Sequence, residues 1–274
     1  MEVTLLGTGN PRPTVERAGP SQHLQLGQSS VLVDCGSGVA RRMLEGGLSI
    51  EAIDYLFLTH QHSDHTVDLA HLLISRWVMG RAEPLTIFVP PGIQEFVRRV
   101  LYAFEVDIKA RSLGRPTPLS VDVHEVTTGE VLKTPDWRAL CFLVDHGPLL
   151  PGEPYLGYRF EDDAHKVVIS GDTVPCDAVA DAAKGADLLI HELNVSSPSR
   201  DPHDNPELPA GERRVASGHT CPHDVGRIAA AAGVPRLVLS HLSPATDTAW
   251  IQDAVGKDYD GELVVGKDLL AIGP

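Results

Sequence analysis

The chain lacks any apolar run near the ~20 residues needed to span a membrane. Its start, Met1-Glu2-Val3-Thr4-Leu5-Leu6-Gly7, has neither the basic opening nor the long apolar stretch of a signal peptide. Both absences point to a cytoplasmic protein with no membrane partner. The four cysteines, Cys35, Cys141, Cys176 and Cys221, form no C-x-x-C pair. In a cytoplasmic chain they read as reduced thiols rather than disulfides, although Cys221 lies near His219 in sequence and so could approach a site there. Basic stripes are missing too. Lys and Arg number 23 against 37 Asp and Glu, a formal net charge of −14, and the cations cluster only in pairs such as Arg98-Arg99 and Arg213-Arg214. A surface this acidic repels a polyanion and gives no steering toward RNA or DNA, which argues against a nucleic-acid partner. No internal repeat or low-complexity tail appears, and 274 residues are ordinary for one α/β domain spanning 1–274.

What is present is concentrated in Thr59-His60-Gln61-His62-Ser63-Asp64-His65. Three imidazoles and a carboxylate follow an apolar run, residues 53–58, that reads as a buried strand, and precede a helix expected over about 66–79. Metal-capable side chains therefore sit at the C-terminal end of a strand, where α/β proteins collect ligands and chemistry. Imidazole with carboxylate suits Zn, Fe or Mn rather than Ca or Mg. Three further metal-capable residues occupy the same kind of position: His146 after strand 137–145, Asp172 after strand 166–170, and His241 after strand 237–240.

Elsewhere the apolar pattern predicts strands over 3–6, 23–26, 30–33, 85–89, 120–126, 155–161, 187–191 and 262–265. Helices are expected over 39–46, 93–104, 176–184, 224–232 and 246–255. Segments 147–154 and 194–218 resist assignment, and long loops of this kind often serve as lids or binding loops. His203 in the second is a weak candidate for touching substrate. Arg76 and Trp77, on the helix after the histidine cluster, are candidates for specificity, and an exposed 77–79 face would suit a homodimer.

These residues, with Gly7-Thr8-Gly9 and Val33-Asp34-Cys35-Gly36, resemble the metallo-β-lactamase superfamily over essentially the whole chain. The motif H-x-H-x-D-H is present without departure. The resemblance implies a four-layer αβ/βα sandwich with a two-metal site at its open edge, holding two Zn2+, with Mn2+ or Fe as alternatives. It implies that His60, His62 and His146 hold one metal, Asp64, His65 and His241 the other, and that Asp172 bridges them. Water between two such cations loses a proton near neutral pH and becomes the nucleophile. Asp34 is expected to orient a ligand imidazole.

Ala216-Ser217-Gly218-His219-Thr220 and Leu188-Leu189-Ile190-His191-Glu192 look like the ribonuclease Z and arylsulfatase-like branch. There the residue matching His219 contacts the transferred group and helps protonate the leaving group, and that matching Glu192 positions it; Asp64, His219 and Glu192 are thus the expected catalytic set. Two departures bear on substrate. Arg17-Ala18-Gly19-Pro20-Ser21 looks more like the arylsulfatase-like relatives, and no room exists between His146 and Asp172 for the protruding tRNA-binding arm. The leading expectation is therefore a hydrolase of a small-molecule phosphodiester or sulfate ester. The alternative is a ribonuclease Z-like tRNA 3′-processing endonuclease without the arm. A non-catalytic metal-binding module is a third, opposed by the intact ligand set.

Overall fold

The structure is a computed structural model that describes residues 1–147, 154–195, 197–202 and 204–274. Residues 148–153 of the first unassigned segment, and His203, lie outside it. Two seven-stranded sheets face each other. The first contains β1 (Glu2–Gly7), β2 (Ser21–Leu26), β3 (Ser29–Val33), β4 (Ile53–Phe57), β5 (Leu85–Val89), β6 (Val121–Glu125) and, at its far edge, β14 (Leu270–Ile272). The second runs β7 (Gly129–Lys133), β8 (Trp137–Val144), β9 (Tyr155–Asp162), β10 (Lys166–Ile169), β11 (Leu188–Glu192), β12 (Arg236–Ser240) and β13 (Glu262–Val265). In each sheet an antiparallel part adjoins a parallel part: β3–β4–β5–β6 in one, β10–β11–β12–β13 in the other. The two halves thus repeat one plan.

The helices are α1 (Val39–Glu45), α2 (Ser63–Thr66), α3 (Leu69–Val78), α4 (Gln94–Ala103), α5 (Glu105–Ser112), α6 (Asp177–Ala183), α7 (Ala210–Ala216), α8 (Pro222–Ala232) and α9 (Thr248–Gly256). Apolar residues of α1, α3 and α4 cover the outer face of the first sheet. Those of α6, α8 and α9 cover the second. Between the sheets lies an aromatic-rich core in which Phe57 stacks on Phe88 at 4.6 Å and meets Tyr158 and Phe160 edge-on at 5.2 Å each. This is the expected four-layer αβ/βα sandwich. Helices outside and a sheet inside explain why β11 is buried along its whole length, as parallel strands with two covered faces are. In β8 only alternate residues, Trp137, Ala139 and Cys141, are buried. Among the described residues no helix is long and apolar enough to cross a membrane.

Local readings fail where tertiary contacts decide. The helix expected over 66–79 starts only at Leu69, after a separate short α2; between them the Asp68 N–H donates to the Cys35 carbonyl and Asp68 Oδ2 accepts from the Gly38 N–H. The 77–79 face is exposed only in part: Met79 is exposed, whereas Trp77 is buried and its Nε1–H donates to the Thr117 carbonyl. Arg76 is also buried, with its guanidinium on the Ile53 and Glu83 carbonyls. Both residues are occupied in holding the fold.

Candidate metal centre

The ends of the parallel strands build the site. The loop after β4 supplies His60 and His62, and α2 supplies Asp64 and His65. The segments after β8, β10 and β12 supply His146, Asp172 and His241, and β11 ends in Glu192. Backbone geometry there is specialised. Asp34, just after β3, and His241, just after β12, both hold left-handed conformations, with φ of 60° and 59°. These are uncommon for residues with a side chain and are characteristic of functional sites. Gly171 has φ 63°, and a Cβ there would meet the Leu156 carbonyl oxygen at 2.6 Å. Only glycine lets β10 turn sharply enough to deliver Asp172. At Gly36 a Cβ would lie 2.4 Å from the Asp64 carbonyl oxygen, so the loop after β3 closes onto the histidine turn.

The ligand atoms fall into two groups. His60, His62, His146 and Asp172 bring one ligand atom each within 4.8 Å of one another, and so do Asp64, His65 and His241. This is the division implied by the resemblance. Asp172 Oδ2 lies between the groups, 3.2 Å from His241 Nε2, 3.4 Å from His65 Nε2, 3.7 Å from His146 Nε2 and 3.9 Å from His60 Nε2. His60 Nε2 and His62 Nδ1 are 3.0 Å apart, and His146 Nε2 is 3.3 Å from the same His62 atom.

Hydrogen bonds on the far side of each ring fix the tautomers. Asp34 accepts from Thr59 N–H and from the Thr59 hydroxyl. That hydroxyl has spent its hydrogen, so it accepts from His60 Nδ1–H at 2.9 Å. His65 Nδ1–H donates to Asp34 Oδ2 at 2.7 Å, and His146 Nδ1–H donates to the Gly218 carbonyl. Each of these imidazoles therefore turns Nε2 inward, and His65 Nε2 is buried with no hydrogen-bond partner. Converging lone pairs beside buried carboxylates make a cation site; the donor set of nitrogens and carboxylate oxygens fits Zn, Fe or Mn.

The charges agree. Burial and the charge of His65 hold the His60 imidazole well below its ordinary value. Burial pulls His146 down to about 4. Both stay neutral at neutral pH, the form that ligates a metal. Burial alone would depress His65, but Asp172, Asp34 and Asp64 outweigh it and raise that ring well above its ordinary value. Burial opposes ionisation of Asp172, yet His241 and His65 hold its carboxyl well below the usual range. The centre draws positive charge.

Beside it stands a second constellation. His219 is buried, and its Nδ1 lies 3.1 Å from Glu192 Oε1. Glu192 also accepts from the Thr220 N–H at 2.9 Å and from the Asn194 N–H at 3.1 Å. Burial pulls the His219 imidazole down, but the Glu192 charge and hydrogen bond outweigh it and hold it above its ordinary value. His219 stacks edge-on against His146, with centroids 4.8 Å apart, so it faces the same space as the metal-capable groups.

Sequence reasoning missed three contributors. Tyr155 packs against His60, His62 and His146 at 4.9–6.3 Å. Asn194 Nδ2 lies 3.0 Å from His219 Nε2. Asn10 Nδ2–H donates to Asn194 Oδ1 at 2.9 Å. A polar residue two positions after Glu192 and an amide beside Gly9 were the available signals. Cys221, in contrast, is outside the ligand groups: burial and a hydrogen bond to Asp201 push its thiol up, which keeps it protonated. His191 is fully buried, and its Nδ1–H donates to the Glu192 carbonyl.

Residues 29–242 match a family model described as Beta-lactamase superfamily domain. A protein named Ribonuclease Z from Mycobacterium bovis is 34% identical over 98% of this chain and 96% of its own length. Another of that name from Mycolicibacterium gilvum is 38% identical, over 98% of this chain and 94% of its own. Among solved structures, a metallo-beta-lactamase fold protein from Bacillus subtilis superposes with a TM-score of 0.78 at 24% identity, covering 99% and 98% of the two chains. The short form of human tRNase Z gives 0.74 at 22% identity, covering 100% and 99%. At those identities the two structures speak to the fold.

Proposed function

This chain belongs to the beta-lactamase superfamily, in its ribonuclease Z branch, and from that membership we propose that it is a metal-dependent phosphodiesterase acting as a tRNA 3′-processing endonuclease. The observation that carries this reading is the end-to-end likeness to proteins named Ribonuclease Z. It reverses the order given by the sequence, which put a small-molecule ester first. That second reading keeps two observations in its favour: the formal charge of −14, and β9 and β10 following one another directly, with only residues 163–165 between them and no arm.

In this reading His60, His62, His146, Asp64, His65, His241 and Asp172 would hold two divalent metals, Zn2+ or else Mn2+ or Fe, which would supply an activated water and neutralise charge on the phosphoryl oxygens. The chain's own residues do the rest. Asp34 and Thr59 hold His65 and His60 so that their Nε2 atoms stay aimed inward. Glu192 keeps the His219 ring oriented through Nδ1. Water adds to phosphorus, the bond from phosphorus to the leaving oxygen breaks, and that oxygen takes a proton. His219 Nε2 is the donor. In the protonated ring both nitrogens donate, so Nε2–H must then turn from the Asn194 amide to an acceptor, the departing oxygen.

The test is cleavage of a precursor tRNA with a 3′ trailer by zinc-loaded protein, beside bis(p-nitrophenyl) phosphate, with chelated controls. The account expects chelator-sensitive cutting at one position at the 3′ side of the acceptor stem. Turnover of the small diester with the precursor left intact favours the small-molecule reading.

A further inference from the structure

A cavity of about 390 Å³ opens on the far side of Asn194 from His219, bounded by Asn10, Pro11 and Arg12 on one side, Asn194, Val195 and Arg200 on another, and Pro209, Glu212 and Val215 of the α7 region on the third. Its wall is continuous with the site. The Arg12 N–H donates to Asn10 Oδ1 at 3.0 Å, which fixes the Asn10 amide. Asn10 then donates to Asn194 Oδ1, and Asn194 presents its Nδ2 to His219 Nε2. The cavity is thus one side chain, Asn194, away from His219 Nε2.

The lining states the chemistry of the occupant. In a chain with a formal charge of −14, two guanidinium groups, Arg12 and Arg200, and one carboxylate, Glu212, line this cavity, so its charge is net positive. Arg200 is partly neutralised by Glu212 at 3.6 Å, while no carboxylate among the described residues pairs with the exposed Arg12. Pro11, Val195, Pro209 and Val215 give the remaining wall an apolar character. The volume is at the small end of ligand sites, roughly 300–1,000 Å³, suited to a single nucleotide. A nucleoside that departs through its 3′ oxygen carries its own 5′-phosphate one sugar away, and a guanidinium is the side chain suited to that phosphate.

We propose that this cavity is the leaving-side nucleotide subsite: it seats the nucleoside whose 3′ oxygen departs, with Arg12 on its 5′-phosphate and Asn10–Asn194 setting its position against His219. The inference rests on the phosphodiesterase reading above and adds a requirement that reading does not contain.

The experiment uses the metal-loaded full chain and two dinucleotides that differ only in a 5′-phosphate, pNpN and NpN. The 5′-phosphate is expected to raise kcat/KM by about tenfold or more, the size of one charge-assisted contact. Arg12→Ala is expected to erase that advantage, and Val215→Trp, which fills the cavity, to depress both dinucleotides relative to bis(p-nitrophenyl) phosphate. Calorimetric binding of a nucleoside 5′-monophosphate supplies a readout independent of turnover. Arg12→Ala should weaken it about tenfold or more, whereas inhibition by inorganic phosphate, which has no nucleoside to seat, should move less than twofold. Equal kcat/KM for the two dinucleotides, or a 5′-monophosphate affinity indifferent to both substitutions, overturns the subsite. If the wild type cuts no diester at all, the functional reading fails instead, and the calorimetric comparison still decides the cavity.

Discussion

Glu192 Oε1 stands 3.1 Å from His219 Nδ1, with both side chains buried. A carboxylate in that place orients the ring and keeps its cation available. Glu192→Gln is expected to lower kcat on an RNA substrate about 10- to 100-fold, with KM changed less than about threefold. The loss should be smaller on bis(p-nitrophenyl) phosphate, because p-nitrophenolate departs without needing a proton. Equal losses on both substrates would mean that Glu192 serves only to hold the fold.

Asp34 Oδ2 accepts from His65 Nδ1–H at 2.7 Å, while its Oδ1 accepts from the Thr59 N–H at 2.8 Å. Asp34→Ala removes the acceptor behind one ligand and, through Thr59, the support of His60. It also puts alanine at a φ of 60°. Zinc affinity should fall about 10- to 100-fold. Asp34→Asn tolerates the backbone conformation and should lose less stability than Asp34→Ala while still binding zinc more weakly; competition with a chromophoric chelator reads the affinity.

Chelation should be visible in stability as well as activity. The five imidazoles and two buried carboxylates of the candidate ligand set would lose their cations when metal is stripped. Thermal unfolding of the chelated protein is expected roughly 5–15 °C below that of the zinc-loaded form. Asp172→Ala should bind less metal by elemental analysis and show a smaller shift on adding zinc.

His23 gives a pH signature separate from the metal. It is buried on β2, with Nε2 2.9 Å from the Ser30 hydroxyl, and burial pulls its imidazole down to about 4. Since the folded value is depressed, the unfolded chain binds the proton more readily below the ordinary His value of about 6.5. Stability from this group is whole above about pH 6.5 and drains away as pH falls toward 4, by up to about 3 kcal/mol. His23→Gln, which keeps a hydrogen-bonding partner for Ser30 without titrating, should flatten the urea-midpoint profile in that window. An unchanged profile would place the acid loss elsewhere.

How much was legible follows from the range of each interaction. His60, His62, Asp64 and His65 are a local motif, and strand-end positions for His146, Asp172 and His241 follow from apolar runs, so the gathering of these seven residues was readable. Asn10 and Asn194 meet across 184 positions, and neither belongs to a periodic pattern. β14 is three residues long and exists because β1 pairs with it from the other end of the chain. α5 buries none of its residues, so it carries no apolar stripe to betray it. Trp77 and Arg76 looked like surface features because their partners, the carbonyls of Thr117, Ile53 and Glu83, are invisible without the fold.

The central claim is that these seven ligands serve RNA phosphodiester cleavage. Its most direct test is single-turnover cutting of a labelled precursor tRNA by zinc-loaded wild type and by Asp172→Ala, with product ends mapped. One metal-dependent cut at the start of the trailer, reduced at least about 100-fold in Asp172→Ala, is the predicted result. An intact precursor under conditions where the wild type still hydrolyses bis(p-nitrophenyl) phosphate would contradict it.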